Sequence, residues 1–286
     1  ERFRRQRQMC IRDSSSSVCY CCNTYCCIVF ILPKANNWWF NCGFYKRMTK
    51  KALFLSGGWE GHEPQETSEF ISSELQQFKI QSEIVNELDV LGDIGFLKNF
   101  DIIIPVWTMG KIDDDNWDIK NSKIGNLQEV IHSGVGLAGW HGGMADAFRD
   151  NTNFQFLVGS QFVCHPGDFV DYQVIIKDDK HPIAKSINDF SVHSEQYFLH
   201  YDPSVNVIAS TTFNEKYHSW IDGVEMPIAY TKTWGKGKIF YCSIGHHMKD
   251  FENLDVVKLI CQGINWAVKS TCCLLYTSDA ADETVR

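Results

Sequence analysis

The chain has 286 residues, 44% of them hydrophobic and 22% charged, which is ordinary for a folded globular protein and excludes bulk disorder and a membrane-spanning bundle. Its 27 Lys+Arg against 35 Asp+Glu leave a net charge of −8, which argues against nucleic acid as a partner, because binding a phosphate backbone needs clustered cations. Of twelve cysteines, seven precede Met48, two follow Ser270, and only Cys164, Cys242 and Cys261 lie between, as in a reduced cytoplasmic protein.

The two ends read differently from the middle. Arg4 to Ser14 (RRQRQMCIRDS) and Cys273 to Glu283 (CLLYTSDAADE) resemble the conceptual translation of a sequencing-library adapter, read in opposite directions. Between them and the middle, Ser14 to Arg47 has no apolar period of 2 or 3.6 and reads as translated upstream DNA. The expected division is therefore a non-native flank over 1–47, a domain over 48–270 that starts at Met48, and a second non-native flank over 271–286. A secretory leader is the competing reading, but the apolar run Cys26 to Leu32 lacks a small-x-small cleavage site, and nothing reaches the roughly 18 apolar residues of a spanning helix. From Met48 to Ser270 there are 18 Lys+Arg and 30 Asp+Glu, a net of −12, so the domain is more acidic than the whole chain.

In chain order, Lys51 to Gly58 (KALFLSGG) reads as a buried strand feeding a glycine turn. Glu66 to Phe78 sets Phe70, Ile71, Leu75 and Phe78 at helical spacing. Phe100 to Trp107 (FDIIIPVW) is a second apolar strand, Asn126 to His132 a helix, and Gly134 to Trp140 (GVGLAGW) a third strand, with a helix expected over Met144 to Arg149. Strands follow at Tyr172 to Lys177 and Val205 to Thr212. Met226 to Gly245 is a hairpin turning at Gly235-Lys236-Gly237, and Asn253 to Val268 is a closing helix. Continuously apolar strands separated by helices predict one α/β domain with a parallel sheet covered on both faces.

In such a sheet ligands bind outside the carboxyl ends of the strands. That rule selects Ser56 to His62, Trp107 to Gly110, Trp140 to Gly143 and Gly245 to His247. Gly139-Trp140-His141-Gly142-Gly143 has the form of a nucleophile elbow, a tight strand-to-helix turn that projects its central side chain. That side chain is an imidazole, suited to acid/base work or to a metal, and poorly matched to covalent acyl chemistry. His62 faces the same crevice from a helix N-terminus. Trp59, Trp107 and Trp140 are candidates for an apolar platform under a sugar ring. Cys242 alternates with Phe240 and Ile244 and is read as core. His181, before Pro182, is read as structural, and His165 is left undecided.

Six ordered motifs, GGWEGHE (57–63), GVGLAGWHGG (134–143), FVCHP (162–166), DDKHPI (178–183), SEQY (194–197) and GKGKIFYCSIGH (235–246), resemble those of the ThuA-like (trehalose utilisation) family of the class I glutamine amidotransferase-like superfamily. The resemblance implies a flavodoxin-like three-layer sandwich with a mostly parallel sheet and a late β-hairpin. It also implies a sugar-related role and a pocket near His62, His141, Glu195 and His246, with His246 preferred to His247 because it directly follows the glycine. A glutaminase ancestry is implied as well, but the elbow nucleophile is replaced by His141 and Cys164 has no elbow around it, so glutamine hydrolysis is not expected. The expected partner is a small-molecule carbohydrate, with no membrane and a homo-oligomer left open. His141 and Glu195 are the acid/base candidates. His62, His246 and the three tryptophans are the substrate-binding candidates. A divalent metal is left open, since no H-x-x-x-H spacing marks ligands. A non-catalytic carbohydrate-binding or regulatory protein is the alternative, and nucleotide binding at Gly57 to Gly61 a weaker one, because that spacing is not G-x-G-x-x-G.

Overall fold

The computed structural model describes residues 49–113 and 119–270, together with the backbone of two strands, β1 (Cys26–Lys34) and β2 (Asn37–Tyr45). β1 and β2 pair antiparallel, from Cys26 opposite Tyr45 to Lys34 opposite Asn37, a hairpin that the aperiodic sequence of 14–47 did not lead one to expect. Thr49–Thr271 is one compact unit. The reading of the two ends as non-native otherwise falls outside the described residues.

The main unit is built on nine strands in the order β4 (Ile80–Val85), β3 (Lys50–Gly58), β5 (Ile102–Thr108), β6 (Gly136–Trp140), β13 (Gly237–Cys242), β12 (Glu225–Trp234), β11 (Asn206–Thr212), β8 (Phe169–Ile176) and β9 (Phe190–Glu195). The first five are mutually parallel. Numbered by their own sequence they run 2-1-3-4-5, the flavodoxin-like order. The remaining four join antiparallel, so only β12 and β8 run against the rest. β12 and β13 form the expected late hairpin.

Burial follows this layout. β3, β5 and β6 are buried almost without interruption, whereas β8 alternates buried and exposed residues, as a strand covered on one face must. One face carries α1 (Pro64–Leu75) and α6 (Leu254–Ala267), which meet Phe54, Ile104, Trp140 and Phe240. The other carries α3 (Lys123–His132) and α5 (Thr152–Val158) over Leu53, Ile103, Leu137 and Tyr241. The helix starts are set locally: the Gly125 N–H donates to Ser122 Oγ at 3.0 Å and the Asp255 N–H to Asn253 Oδ1 at 3.0 Å.

The helix expected over Met144 to Arg149 is shorter. α4 (Gly142–Ala145) makes one turn and stops, because Ala147 pairs with Met109 and Phe148 adopts φ +49°. Two strands that the sequence reading did not single out, β7 (Ser160–Cys164) and β10 (Phe198–Tyr201), form a small antiparallel sheet.

α6 packs closely on β13 at Gly263. A Cβ on Gly263 would stand 2.2 Å from the Phe240 ring. Gly263→Val should therefore overpack this contact and cost about 1–3 kcal/mol, read as a lower urea midpoint with an unchanged m-value. An unchanged midpoint would contradict the packing.

Candidate active site

Four strand ends and one antiparallel strand supply the site. β3 runs through Gly57-Gly58 into a 3-10 turn ending at His62, β5 ends at Thr108, β6 leads to His141 and β13 to His246, and β9 ends at Glu195. His141 has φ 46° and ψ −139°. This backbone is rare for a residue with a side chain and costs on the order of 1–3 kcal/mol. It persists because the turn is pinned on three sides. The His141 N–H donates to Cys242 O at 2.7 Å, its carbonyl accepts from the Tyr241 hydroxyl at 3.2 Å, and its Nδ1 lies 2.8 Å from Ser243 O. The neighbouring Gly142 leaves room for His62, whose Cε1 a Cβ there would approach to 2.5 Å.

A carbonyl oxygen only accepts, so Nδ1 of His141 carries a proton and Nε2 faces the cluster. That Nε2 lies 2.8 Å from the Tyr197 hydroxyl, 3.2 Å from Glu195 Oε2 and 3.3 Å from His246 Nδ1. His246 Nδ1 is itself 3.2 Å from Glu195 Oε2. The His62 ring stands 4.7 Å from His141 and 4.6 Å from His246, its Nδ1 2.6 Å from Thr108 Oγ1. Asp250 accepts the backbone N–H of His246 at 2.8 Å and the Ser194 hydroxyl at 2.7 Å. The structure thus brings His62, His141, Glu195 and His246 together, all buried, with His141 only 1% exposed. One ligand-competent atom from each lies within 4.8 Å of the other three.

The electrostatics follow from this crowding. Burial, reinforced by the neighbouring imidazoles of His141 and His246, lowers the His62 pKa from 6.5 to about 2, so it is held neutral. Burial pushes the Glu195 carboxyl up, but its contacts with His141 and His246 outweigh that and hold it below the ordinary range. Burial raises the Tyr197 phenol well above 10, which keeps it a donor.

The tryptophans separate. Trp59, 48% exposed, sets its ring edge-on to His62 at 4.8 Å and to His246 at 6.2 Å. Trp107 is half-buried and packs against Gly57 and Gly110. Trp140 is 2% exposed, between Phe54 and Phe251. The expected three-tryptophan platform does not form, because alternation along β6 sends Ala138 and Trp140 into the α1–α6 core. Phe169, 4.9 Å from His246, provides an aromatic wall there instead. Of the other histidines, His165 Nε2 stands 3.7 Å from Glu195 Oε1, His247 stacks on Phe169, and His181 Nδ1 accepts the Ile183 N–H as a turn cap.

Residues 51–267 match the family model ThuA, described as trehalose utilisation. The chain belongs to the ThuA family. Two ThuA-like proteins of known structure share its fold. The one from Bacteroides uniformis ATCC 8492 has 16% identity and a TM-score of 0.60, over 79% of this chain and 94% of that one. The one from Parabacteroides merdae ATCC 43184 has 15% identity and a TM-score of 0.58, over 79% and 93%. No curated protein matches the sequence. Among the described residues no helix is long and apolar enough to cross a membrane.

This ThuA-family site also uses residues to which sequence reasoning gave no role. Tyr197 and Gln196 follow Glu195 where the chain passes from β9 to β10, and Thr108 and Asp250 support His62 and His246. Strand-end position marked Thr108, but nothing in the sequence marked Asp250. Cys164 lies exposed on β7 with its thiol pKa raised by burial, an environment that does not activate a nucleophile.

Between about pH 2 and 6.5 the unfolded chain holds a proton on His62 that the fold excludes. Stability therefore rises with pH across this window and is complete above it, with a slope from this group of up to about 1.4 kcal/mol per pH unit. Urea titrations in chelator-containing buffer should show stability falling from pH 7 to pH 5, and His62→Asn should flatten that fall. An equal slope in both proteins would contradict a neutral buried His62.

Proposed function

We propose that this ThuA-family protein acts on a neutral carbohydrate, a trehalose-type glucose disaccharide or its keto derivative, with His141 and Glu195 at the reaction centre. The family's link to trehalose utilisation supports the substrate class only coarsely. The observation that carries the reading is the buried His141–Glu195–His246 contact set beside a ring-sized cavity.

That cavity has a volume of about 200 Å³ and is lined by Phe169, Asp171, Gln196, Asn214, Lys216 and Tyr217, among others. It is smaller than the roughly 300–1,000 Å³ of drug-sized sites and suits one pyranose ring. Phe169 and Tyr217 offer apolar faces for the C–H side of a sugar, and the polar side chains offer donors and acceptors for its hydroxyls. Asp171 and Lys216 balance in charge, which favours a neutral ligand over a phosphorylated one. Phe169 joins this cavity to the cluster through its contact with His246, and Trp59 stands at the cluster's outer side.

The cluster suits chemistry at a sugar oxygen. An ionised Glu195, a neutral His62 and a protonated Tyr197 polarise a hydroxyl or keto group and exchange a proton with it, without a covalent acyl intermediate. A cytoplasmic location accords with Cys164, Cys242 and Cys261 all being free thiols.

The full chain, incubated with trehalose, other glucose disaccharides and their keto derivatives, should consume at least one of them, followed by NMR of the sugar. His141→Ala should lower kcat/KM by about 10²–10⁴-fold while changing sugar affinity less than tenfold. Binding without turnover in the unaltered protein would overturn the enzymatic reading in favour of a carbohydrate-binding or regulatory role.

A further inference from the structure

We infer that His62, His141, Glu195 and His246 form a binding site for one divalent cation of the zinc class. The argument is geometric first. Metal–ligand bonds of about 2.0–2.1 Å in a tetrahedral site put the donor atoms about 3.3–3.4 Å apart. The three separations among His141 Nε2, Glu195 Oε2 and His246 Nδ1 are 3.2, 3.2 and 3.3 Å. These atoms describe one face of such a tetrahedron, and His62 brings a fourth donor to within 4.8 Å of all three.

The donors are also oriented as ligands are. A metal-bound histidine gives its other ring nitrogen to a backbone carbonyl or a polar side chain, which fixes the tautomer. His141 does this with Ser243 O at 2.8 Å, leaving Nε2 for the ion, and His62 Nδ1 engages Thr108 Oγ1 at 2.6 Å. The main chain at the other two ligands is held by buried groups, Glu195 O by the Tyr172 hydroxyl and the His246 N–H by Asp250. Three imidazoles and one carboxylate suit zinc or cobalt(II) better than calcium or magnesium, which take all-oxygen shells. The positive φ of His141 accompanies the placement of its donor nitrogen among the other three.

Occupancy by a cation does not depend on the sugar reading, but it deepens it. An ion beside the cavity would supply Lewis-acid polarisation of a sugar oxygen, and His141 and Glu195 would then hold the ion instead of carrying the proton.

The test uses the full chain, stripped with chelator and titrated with zinc and, separately, cobalt(II). One equivalent of zinc should bind, with a rise in Tm, and cobalt(II) should give visible d–d absorption bands. Glu195→Gln and His246→Ala should each weaken zinc binding at least 100-fold, and His200→Ala, an exposed site on β10, should bind as the unaltered protein does. The cobalt spectrum of the unaltered protein carries the test if either variant fails to fold. No stoichiometric uptake of zinc or cobalt(II), or equal binding in the Glu195 and His246 variants, would overturn the site. Zinc binding without turnover of any sugar would uphold the cation site and remove the enzymatic sugar reading, whereas sugar turnover with no stoichiometric uptake of zinc or cobalt(II) would do the reverse.

Discussion

The parallel register between β6 and β13 governs everything at this site. Trp140 lies opposite Cys242 in that ladder, so the residues that follow the two strands leave the sheet side by side. His141 then meets the Tyr241 hydroxyl and Cys242 O from β13 and Ser243 O directly after it. A slip of one residue would turn every side chain on β13 to the opposite face and remove these contacts together. The cost of holding His141 at positive φ is offset by those bonds, and the imidazole they fix is the one on which Glu195, His246 and Tyr197 converge.

The same crowding decides the charge state. A lone carboxylate as buried as Glu195 would be driven towards neutrality. It stays ionised because two imidazoles face one of its oxygens and His165 stands near the other. His62, with imidazoles for neighbours and burial against it, takes the opposite course and is neutral. The centre therefore combines an ionised carboxylate with three imidazoles, of which His62 is neutral. Such a set can hold a cation or polarise an oxygen, and it has no nucleophile for acyl transfer.

Much of the framework was legible because it is written in local periods. The unbroken apolar runs of β3, β5 and β6 required a sheet covered on both faces, and Gly235 to Gly237 marked the hairpin turn. The elbow at His141 was legible because glycines flank the Trp140-His141 pair. β4 escaped notice, since an edge strand is only partly buried and IQSEIV carries a weak pattern. Glu195 was reached only through the family resemblance, and it is 5% exposed at the end of β9. Its burial comes from His141 and His246, each about fifty residues away in the chain. Trp140 looked like a ligand platform from its place at a strand end. Only the packing of Phe54 and Phe251 around it fixed which face it serves.

The central claim is that the β6–β13 register fixes His141 with Nδ1 protonated and Nε2 turned to the cluster. Long-range ¹⁵N–¹H NMR of the imidazoles, with His141 assigned by its loss in His141→Ala, reads that tautomer directly. The structure requires a proton on Nδ1 of His141. An Nε2–H tautomer, or a ring that averages between the two, would contradict it.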